Sequence, residues 1–146
     1  MSYLKQLDIS ESYDKTKINI SGVLAGVQKT IVFIVSKQYK NGGFLIVSVG
    51  TEYILELQSK VAFGERGHAV IVDQFGKVIA HPVKKWHETR KDISFLPPVQ
   101  KMMPGLTDVT QFYTPAMGAD MIAGHTVVEL GAWSLELGVW WCLCHF

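Results

Sequence analysis

The chain has 146 residues, of which 48% are hydrophobic and 18% charged, and its formal net charge is +1. A chain of this length suits a single domain, residues 1–146, with enough apolar material for one core. The near-zero net charge, without a basic stripe interleaved with aromatic residues, argues against nucleic acid as a partner.

No apolar run approaches the ~20 residues of a membrane-spanning helix. The N-terminus lacks the basic and apolar regions of a signal peptide. The protein is therefore either cytoplasmic or a piece of a longer, membrane-anchored chain.

The first half of the chain predicts a hairpin followed by a helix. Residues 1–17 are interpreted as a helix end and a polar lead-in. Thr30–Ser36 is a continuous β-branched and aromatic run, which predicts a strand covered on both faces. Lys40–Gly43 supplies turn residues, and Phe44–Gly50 predicts the second strand.

Thr51–Val61 predicts the helix. Ile54, Leu57 and Val61 fall at helical spacing, and Thr51 is placed to cap the first turn. We expect this apolar face to pack on the sheet.

A second hairpin is predicted around Asp73-Gln74-Phe75-Gly76. Asp at the first and Gly at the fourth position favour a type I β-turn, and apolar runs flank it on both sides. Turn chemistry accounts for Asp73 and Gly76.

Residues 83–106, named here the crossing segment, contain three prolines, a dense charge cluster and two aromatic residues. This composition predicts an irregular segment with at most a short helix around Val99–Met103. Long irregular segments in compact domains are often binding loops.

Three strands complete the chain, at residues 108–114, 121–130 and 132–140. The predicted class is α+β: a PAS-like antiparallel sheet of about five to seven strands, flanking helices and a long crossing loop. Residues 140–146 are expected to be a non-native or disordered tail. Cys142, Cys144 and His145 supply fewer ligands than a closed zinc site needs, so no metal site is predicted.

The motif order resembles the Cache domains, the PAS-like extracytoplasmic sensor modules of bacterial receptors. The resemblance covers roughly Ile18–Val139 and is strongest from Phe63 to Trp133. It rests on a glycine-led strand ending in Asp, a turn glycine, a His-Pro strand end, an Ile-Ser segment and a late Gly-Trp-like closure. These elements correspond to Gly67, Asp73, Gly76, His81-Pro82, Ile93-Ser94 and Trp133.

The resemblance implies a long N-terminal helix and a pocket between the sheet and the crossing segment. It implies the outer face of the bacterial inner membrane, with attachment through segments absent from this chain. The output would be a chemotaxis, histidine kinase or diguanylate cyclase domain. Amino-acid-binding members carry an Arg-x-Trp pair and a later Asp, whereas this chain has no such pair before its first strands and reads Val49-Gly50 at the place of the Asp.

Trp86, His87, Arg90 and Lys91 form the main candidate ligand site. An Arg fork and a Lys charge beside an aromatic wall suit a carboxylate. The alternative, equally weighted, is a solvated loop anchored to the core by Trp86.

The other candidates are His81, Tyr113, Asp120 and His125. His81 lies either at the pocket mouth or in a structural role, with the structural role favoured. Tyr113 and Asp120 bracket a turn that could cover the pocket, although Asp120 also suits the turn itself. His125 faces either pocket or solvent.

Two function classes follow. The first is a sensing domain for a small organic carboxylate or amine, with homodimer formation left open. The second is a ligand-free spacer next to the membrane or a PAS-like interaction module. The sequence contains no nucleophile elbow, zinc-protease motif or phosphate loop, so we predict neither catalysis nor a cofactor.

Overall fold

A computed structural model of the chain describes residues 18–25, 31–38, 41–63, 67–115, 118–129 and 134–142. The strands of these ranges are Asn19–Ile20 (β1), Leu24–Ala25 (β2), Ile31–Gln38 (β3), Phe44–Gly50 (β4), Ala62–Phe63 (β5), Gly67–Val72 (β6), Val78–Ala80 (β7), Asp108–Thr114 (β8), Ala119–Glu129 (β9) and Ser134–Cys142 (β10). The helices are Glu52–Lys60 (α1), Lys84–Glu88 (α2) and Pro97–Met102 (α3). The lead-in predicted for residues 1–17 and the closing Trp133 lie outside the described residues.

The predicted first hairpin is present, but it belongs to a sheet of its own. β3 pairs antiparallel with β4 from Val32 opposite Gly50 to Gln38 opposite Phe44. β1 and β2 pair with the other edge of β3. This four-stranded sheet precedes the central one.

The central sheet has six antiparallel strands. β6 pairs with β10, β10 with β9, and β9 with β8, while β5 and β7 share the remaining edge of β6. Both edges of β6 are thus occupied, which leaves no place beside it for β4. The predicted α+β class, with an antiparallel sheet of five to seven strands and flanking helices, is confirmed.

Both faces of β6 are covered, which explains its nearly continuous apolar sequence. Val70 and Val72 face the crossing segment, whereas Ile71 faces α1. The buried core on the crossing-segment side comprises Val70, Val72, Val78, Ile93, Leu96, Val99, Met102, Phe112, Met121 and Ala123. The smaller core on the other side comprises Val23, Ile71, Ile79 and Ala80, with Ile54 and Leu55 of α1 packed against it.

The predicted helix is confirmed, but only part of its buried face is the predicted one: Ile54 packs on the core and Leu57 does not. Ile54 and Leu55 contact the core, Gln58 is buried, and Leu57 is 42% exposed. Gln58 fits because its Nε2 donates to the carbonyl oxygen of Ala69 at 3.0 Å. Thr51 occupies the N-cap position without a capping hydrogen bond from its side chain.

The crossing segment holds two short helices, so the expectation of at most one was wrong. α2 was not predicted, and α3 begins two residues before the expected Val99. Pro97 and Pro98 occupy the first two positions of α3, where a missing N–H leaves no helical hydrogen bond unmade. The prolines therefore start this helix instead of preventing it.

β8 spans the predicted residues, whereas β10 extends further than expected. Trp140 was counted both as the last strand residue and as the first tail residue, whereas Trp141 and Cys142 were assigned to the tail alone, yet all three belong to the strand. Trp140 lies opposite His68 of β6, and Cys142 lies opposite Met121 of β9. The ladder extends this far because β9 begins early, at Ala119. Residues 143–146 lie outside the described residues.

Candidate functional site

The end of β7 and the start of α2 place an aromatic cluster at one margin of the crossing segment. We call His68, His81, Trp86, His87 and Lys91 the Trp86 cluster. The imidazole of His81 stacks on the indole of Trp86, with ring centroids 4.2 Å apart. His68 approaches His81 edge-on at 5.1 Å, and Lys91 Nζ lies 3.5 Å from the Trp86 ring centroid. An ammonium in this position is attracted by the negative face of the ring.

Backbone contacts fix both neighbouring histidines. The amide of Val83 donates to Nδ1 of His81 at 2.9 Å, which places the proton of a neutral His81 on Nε2. His87 Nδ1 donates to the carbonyl oxygen of His81 at 3.1 Å. The turn from β7 into α2 is therefore held by the two histidines.

His81 is neutral in the folded protein. Its pKa is lowered from 6.5 to about 3, chiefly because burial disfavours the charged ring, with smaller contributions from His68, Lys91 and His87. A neutral ring that accepts a backbone hydrogen bond and stacks on indole has structural contacts, in line with the favoured interpretation of this residue.

α2 ends in a Schellman motif. Lys91 N donates to Trp86 O at 2.9 Å, and Arg90 N donates to His87 O at 3.0 Å, the two bonds that define this ending. In this motif the first residue after the C-cap normally has positive φ and is usually glycine. Here that residue is Arg90, with φ of +50°. The contact of Lys91 with Trp86 is the side-chain contact that often accompanies the motif. The ending thus places Arg90 and Lys91 side by side.

The surface around α2 carries an excess of positive charge. Lys84, Lys85, Arg90 and Lys91 stand against two acids, Glu88 and Asp92, and Glu88 is 3.5 Å from Lys84 in an exposed pair. A guanidinium, an ammonium and an indole wall together suit a carboxylate ligand. The structure places Lys91 on the Trp86 ring at this margin, with Arg90 next to Lys91 in the chain.

The space between α3 and the sheet is filled by apolar side chains. Ile93, Val99 and Met102 are each 1% exposed, and they pack against Val72 and Met121 of the sheet. The main candidates Trp86, His87, Arg90 and Lys91 lie at the α2 end of the crossing segment. Beneath α3, core side chains therefore fill the space where the pocket was expected.

His125 belongs to the interior. It is 3% exposed, Nδ1 donates to the carbonyl oxygen of Leu106, and Nε2 accepts from the hydroxyl of Thr110, both at 3.1 Å. Both ring nitrogens thus have protein partners. The sequence left pocket and solvent open for this residue, and the structure shows a buried, hydrogen-bonded side chain.

Tyr113 and Asp120 lie on the opposite face of the central sheet from the Trp86 cluster. They are cross-strand neighbours on β8 and β9. Phe112 and Met121 point toward the crossing segment, so the adjacent Tyr113 and Asp120 point away from it, and both are exposed. The structure does not bring these two residues to the candidate site.

One residue has contacts that the sequence interpretation missed. Asp73 forms the predicted turn, because Gly76 N donates to Asp73 O at 2.9 Å. Its carboxylate is also buried and accepts a hydrogen bond from the amide of Val23 at 2.8 Å. The turn alone accounts for an Asp at this position of the sequence, so nothing in the sequence indicated a partner 50 residues away.

Groups of three or more His, Cys, Asp or Glu side chains placed to hold a metal ion do not occur among the described residues. Nor does any helix in these ranges have the length and apolar character needed to cross a bilayer.

Comparison with known proteins supports the fold. No protein-family model and no curated protein sequence matches the chain. The periplasmic sensory domain of the Campylobacter jejuni chemoreceptor Tlp1 matches with a TM-score of 0.71 and 14% identity, over 95% of this chain and 56% of that one. The extracellular domain of mmHK1S-Z3, described as a histidine kinase, matches with a TM-score of 0.71 and 21% identity, over 87% of this chain and 49% of that one.

The ligand-binding domain of the Pseudomonas aeruginosa chemoreceptor PctC, solved with GABA, matches with a TM-score of 0.67 and 14% identity, over 86% of this chain and 56% of that one. The chain thus spans about half the length of these domains and shares the fold of sensor domains of chemoreceptors and of a histidine kinase. The resemblance found in the sequence is confirmed at the level of fold.

Proposed function

We propose that this chain is a module of the extracytoplasmic sensing region of a membrane-anchored bacterial receptor. The observation that carries the proposal is the shared fold with sensor domains of chemoreceptors and a histidine kinase, over 86% to 95% of the chain. The receptor's output is a chemotaxis, histidine kinase or diguanylate cyclase domain. The module binds its ligand without catalysing a reaction. It functions in the periplasm and is compatible with a homodimer.

The proposed ligand is a small organic carboxylate, with or without an amine. Arg90 binds the carboxylate through its planar fork, Lys91 adds a second positive charge, and Trp86 supplies the aromatic wall. His87 lies next to Trp86 on α2 and lines the same edge of the proposed site. Two of the similar domains were solved with GABA and with L-Arg, which both carry carboxylate and amine groups.

A second candidate is a ligand-free spacer between the membrane and another sensing module. The packed apolar interior between α3 and the central sheet favours it, because this interior offers no polar groups to a ligand. The half-length match to the solved domains is consistent with it too, since those chains contain as much protein again.

A thermal-shift screen of the purified chain against small carboxylates, amines and sugars separates the two candidates. A ligand at about 100 times its dissociation constant stabilises the folded state by roughly 2.7 kcal/mol. We expect carboxylates to raise the melting temperature. If every compound leaves it unchanged, the spacer function replaces the sensing function.

Two variants then test the position of the site. Arg90→Gln should abolish the ligand-dependent shift, because it removes the fork without removing the left-handed backbone. Lys84→Gln is the matched control, since Lys84 is exposed and paired with Glu88. Retention of the shift in both variants would show that the ligand binds elsewhere.

A further inference from the structure

The turn between β6 and β7 is held by one buried carboxylate. Asp73 is 1% exposed. Its Oδ1 accepts hydrogen bonds from the amides of Phe75 and Lys77, both at 2.9 Å, and its Oδ2 accepts from Val23 N at 2.8 Å. The first two bonds build the turn. The third joins the turn to a residue 50 positions earlier in the chain.

Further contacts fasten residues 18–25 to the same turn. Gln74 Nε2 donates to the carbonyl oxygen of Ile20 at 3.3 Å. Gly22 lies so close to Phe75 that a Cβ on it would stand 2.7 Å from the ring. These residues carry β1 and β2, which pair with β3. One side of the turn therefore contacts the first sheet.

The other side of the turn contacts the crossing segment. Ile93 N donates to Gly76 O, and Val78 N donates to Lys91 O, both at 2.9 Å. A Cβ on Gly76 would lie 2.7 Å from Cα of Ser94, so only glycine allows this approach. Lys91 in turn lies over the Trp86 ring. Val78, the residue that follows the turn, is thus hydrogen-bonded to a member of the Trp86 cluster.

We propose that the 73–77 turn couples the Trp86 cluster to strands β1 and β2, with Asp73 as the positioning residue. A change in the backbone of residues 91–93 acts on Val78 through Lys91 and on Gly76 through Ile93, and the Asp73 carboxylate passes it to Val23. The regulatory meaning of this coupling rests on the proposed function, in which the Trp86 cluster contributes to the ligand site. A ligand shifts the equilibrium only if it binds one arrangement of this connection more tightly than the other.

The experiment perturbs the cluster without a ligand and observes Val23 by NMR. Lys91→Ala removes the ammonium from the indole face. We expect it to shift the amide resonances of Val23 and Leu24 in the otherwise native chain. In an Asp73→Asn background the same change should leave these resonances in place. The single side-chain oxygen of Asn keeps the two turn bonds, and its amide nitrogen, which then faces Val23, cannot accept a hydrogen bond.

Hydrogen exchange provides the second readout. Asp73→Asn alone should lower the protection of the Val23 amide by about tenfold or more, as expected for a lost buried hydrogen bond to a charged group. Asp92→Asn is the matched control, because the Asp92 carboxylate lies on the crossing segment and bonds to Ser94. Its loss should leave the Val23 amide protected.

The coupling is overturned if Lys91→Ala leaves Val23 and Leu24 unshifted in the native background, or if the shift persists in Asp73→Asn. Equal loss of protection in both Asp variants overturns the role of Asp73. Should Asp73→Asn fail to fold, Lys91→Ala in the native background still decides whether coupling exists. A flat ligand screen would overturn the sensing function alone, because neither readout uses a ligand.

Discussion

His81 is a residue whose protonation opposes folding. Its pKa is about 3 in the folded protein and 6.5 without the fold, so between these values the unfolded chain binds more protons. The contribution of neutral His81 to the free energy of unfolding is therefore fully present well above pH 6.5, and it is lost as the pH falls toward 3. On acidification from about pH 7.5 to 5.5, protonation of His81 in the unfolded chain should lower the free energy of unfolding by up to about 1.4 kcal/mol.

Urea unfolding of the native chain and of His81→Gln at these two pH values measures this contribution. Gln keeps an acceptor for the Val83 amide but does not titrate. The native chain should lose more stability on acidification than the variant does. Equal losses would mean that His81 is protonated as readily in the folded as in the unfolded chain.

At the scale of the element, the ending of α2 is strained at Arg90. An L-residue with positive φ costs on the order of 1 kcal/mol, and glycine avoids this cost. Arg90→Gly should therefore be more stable than Arg90→Ala by about 1 kcal/mol, because both variants lack the guanidinium and only one retains a Cβ.

Denaturant unfolding of the two variants makes this comparison. If they are equally stable, the left-handed conformation of residue 90 carries no strain. Under the sensing function neither variant should respond to the ligand. A glycine that improves the fold but removes the response would explain why an arginine stands at this position.

Elements were predictable where their signals are local. The two hairpins, α1 and β8 follow from apolar runs and turn residues close in sequence. α2 was missed because Arg90 stands where a Schellman glycine would have marked the helix end. The buried face of α1 was predicted only at Ile54, because Gln58, although polar, is buried with the Ala69 carbonyl as its partner.

The same limit applies to the candidate site. Trp86, His87, Arg90 and Lys91 were predicted together because they are neighbours on one segment. The contact of His68 with His81 depends on the packing around the β6–β7 hairpin, and the bond from Val23 to Asp73 joins residues 50 positions apart. Tyr113 and Asp120 were joined to the site without knowledge of strand parity, which places them on the other face of the sheet.

At the scale of the whole molecule, the first sheet exposes apolar surface at β4. Four apolar side chains of this strand are between 41% and 51% exposed: Leu45, Ile46, Val47 and Val49. Because adjacent residues of a strand face opposite sides, both faces of β4 carry exposed apolar side chains. Within the described ranges, β4 pairs with β3 and no strand pairs with its other edge. Bare apolar edge strands are sites of strand addition.

We expect two copies of the isolated chain to associate through antiparallel pairing of their β4 edges. The strand Phe44–Gly50 contains no charged residue, so pairing with its own copy would bury no charge. Val47→Lys should weaken this association, because two lysines would then face each other near the centre of the paired strands. Leu57→Lys is the control, since Leu57 is equally exposed apolar surface but lies on α1. Sedimentation velocity over a range of concentrations measures both variants. Loss of association in Val47→Lys alone would support the β4 interface, whereas equal behaviour of the two variants would exclude it and leave β4 as a surface for a different partner.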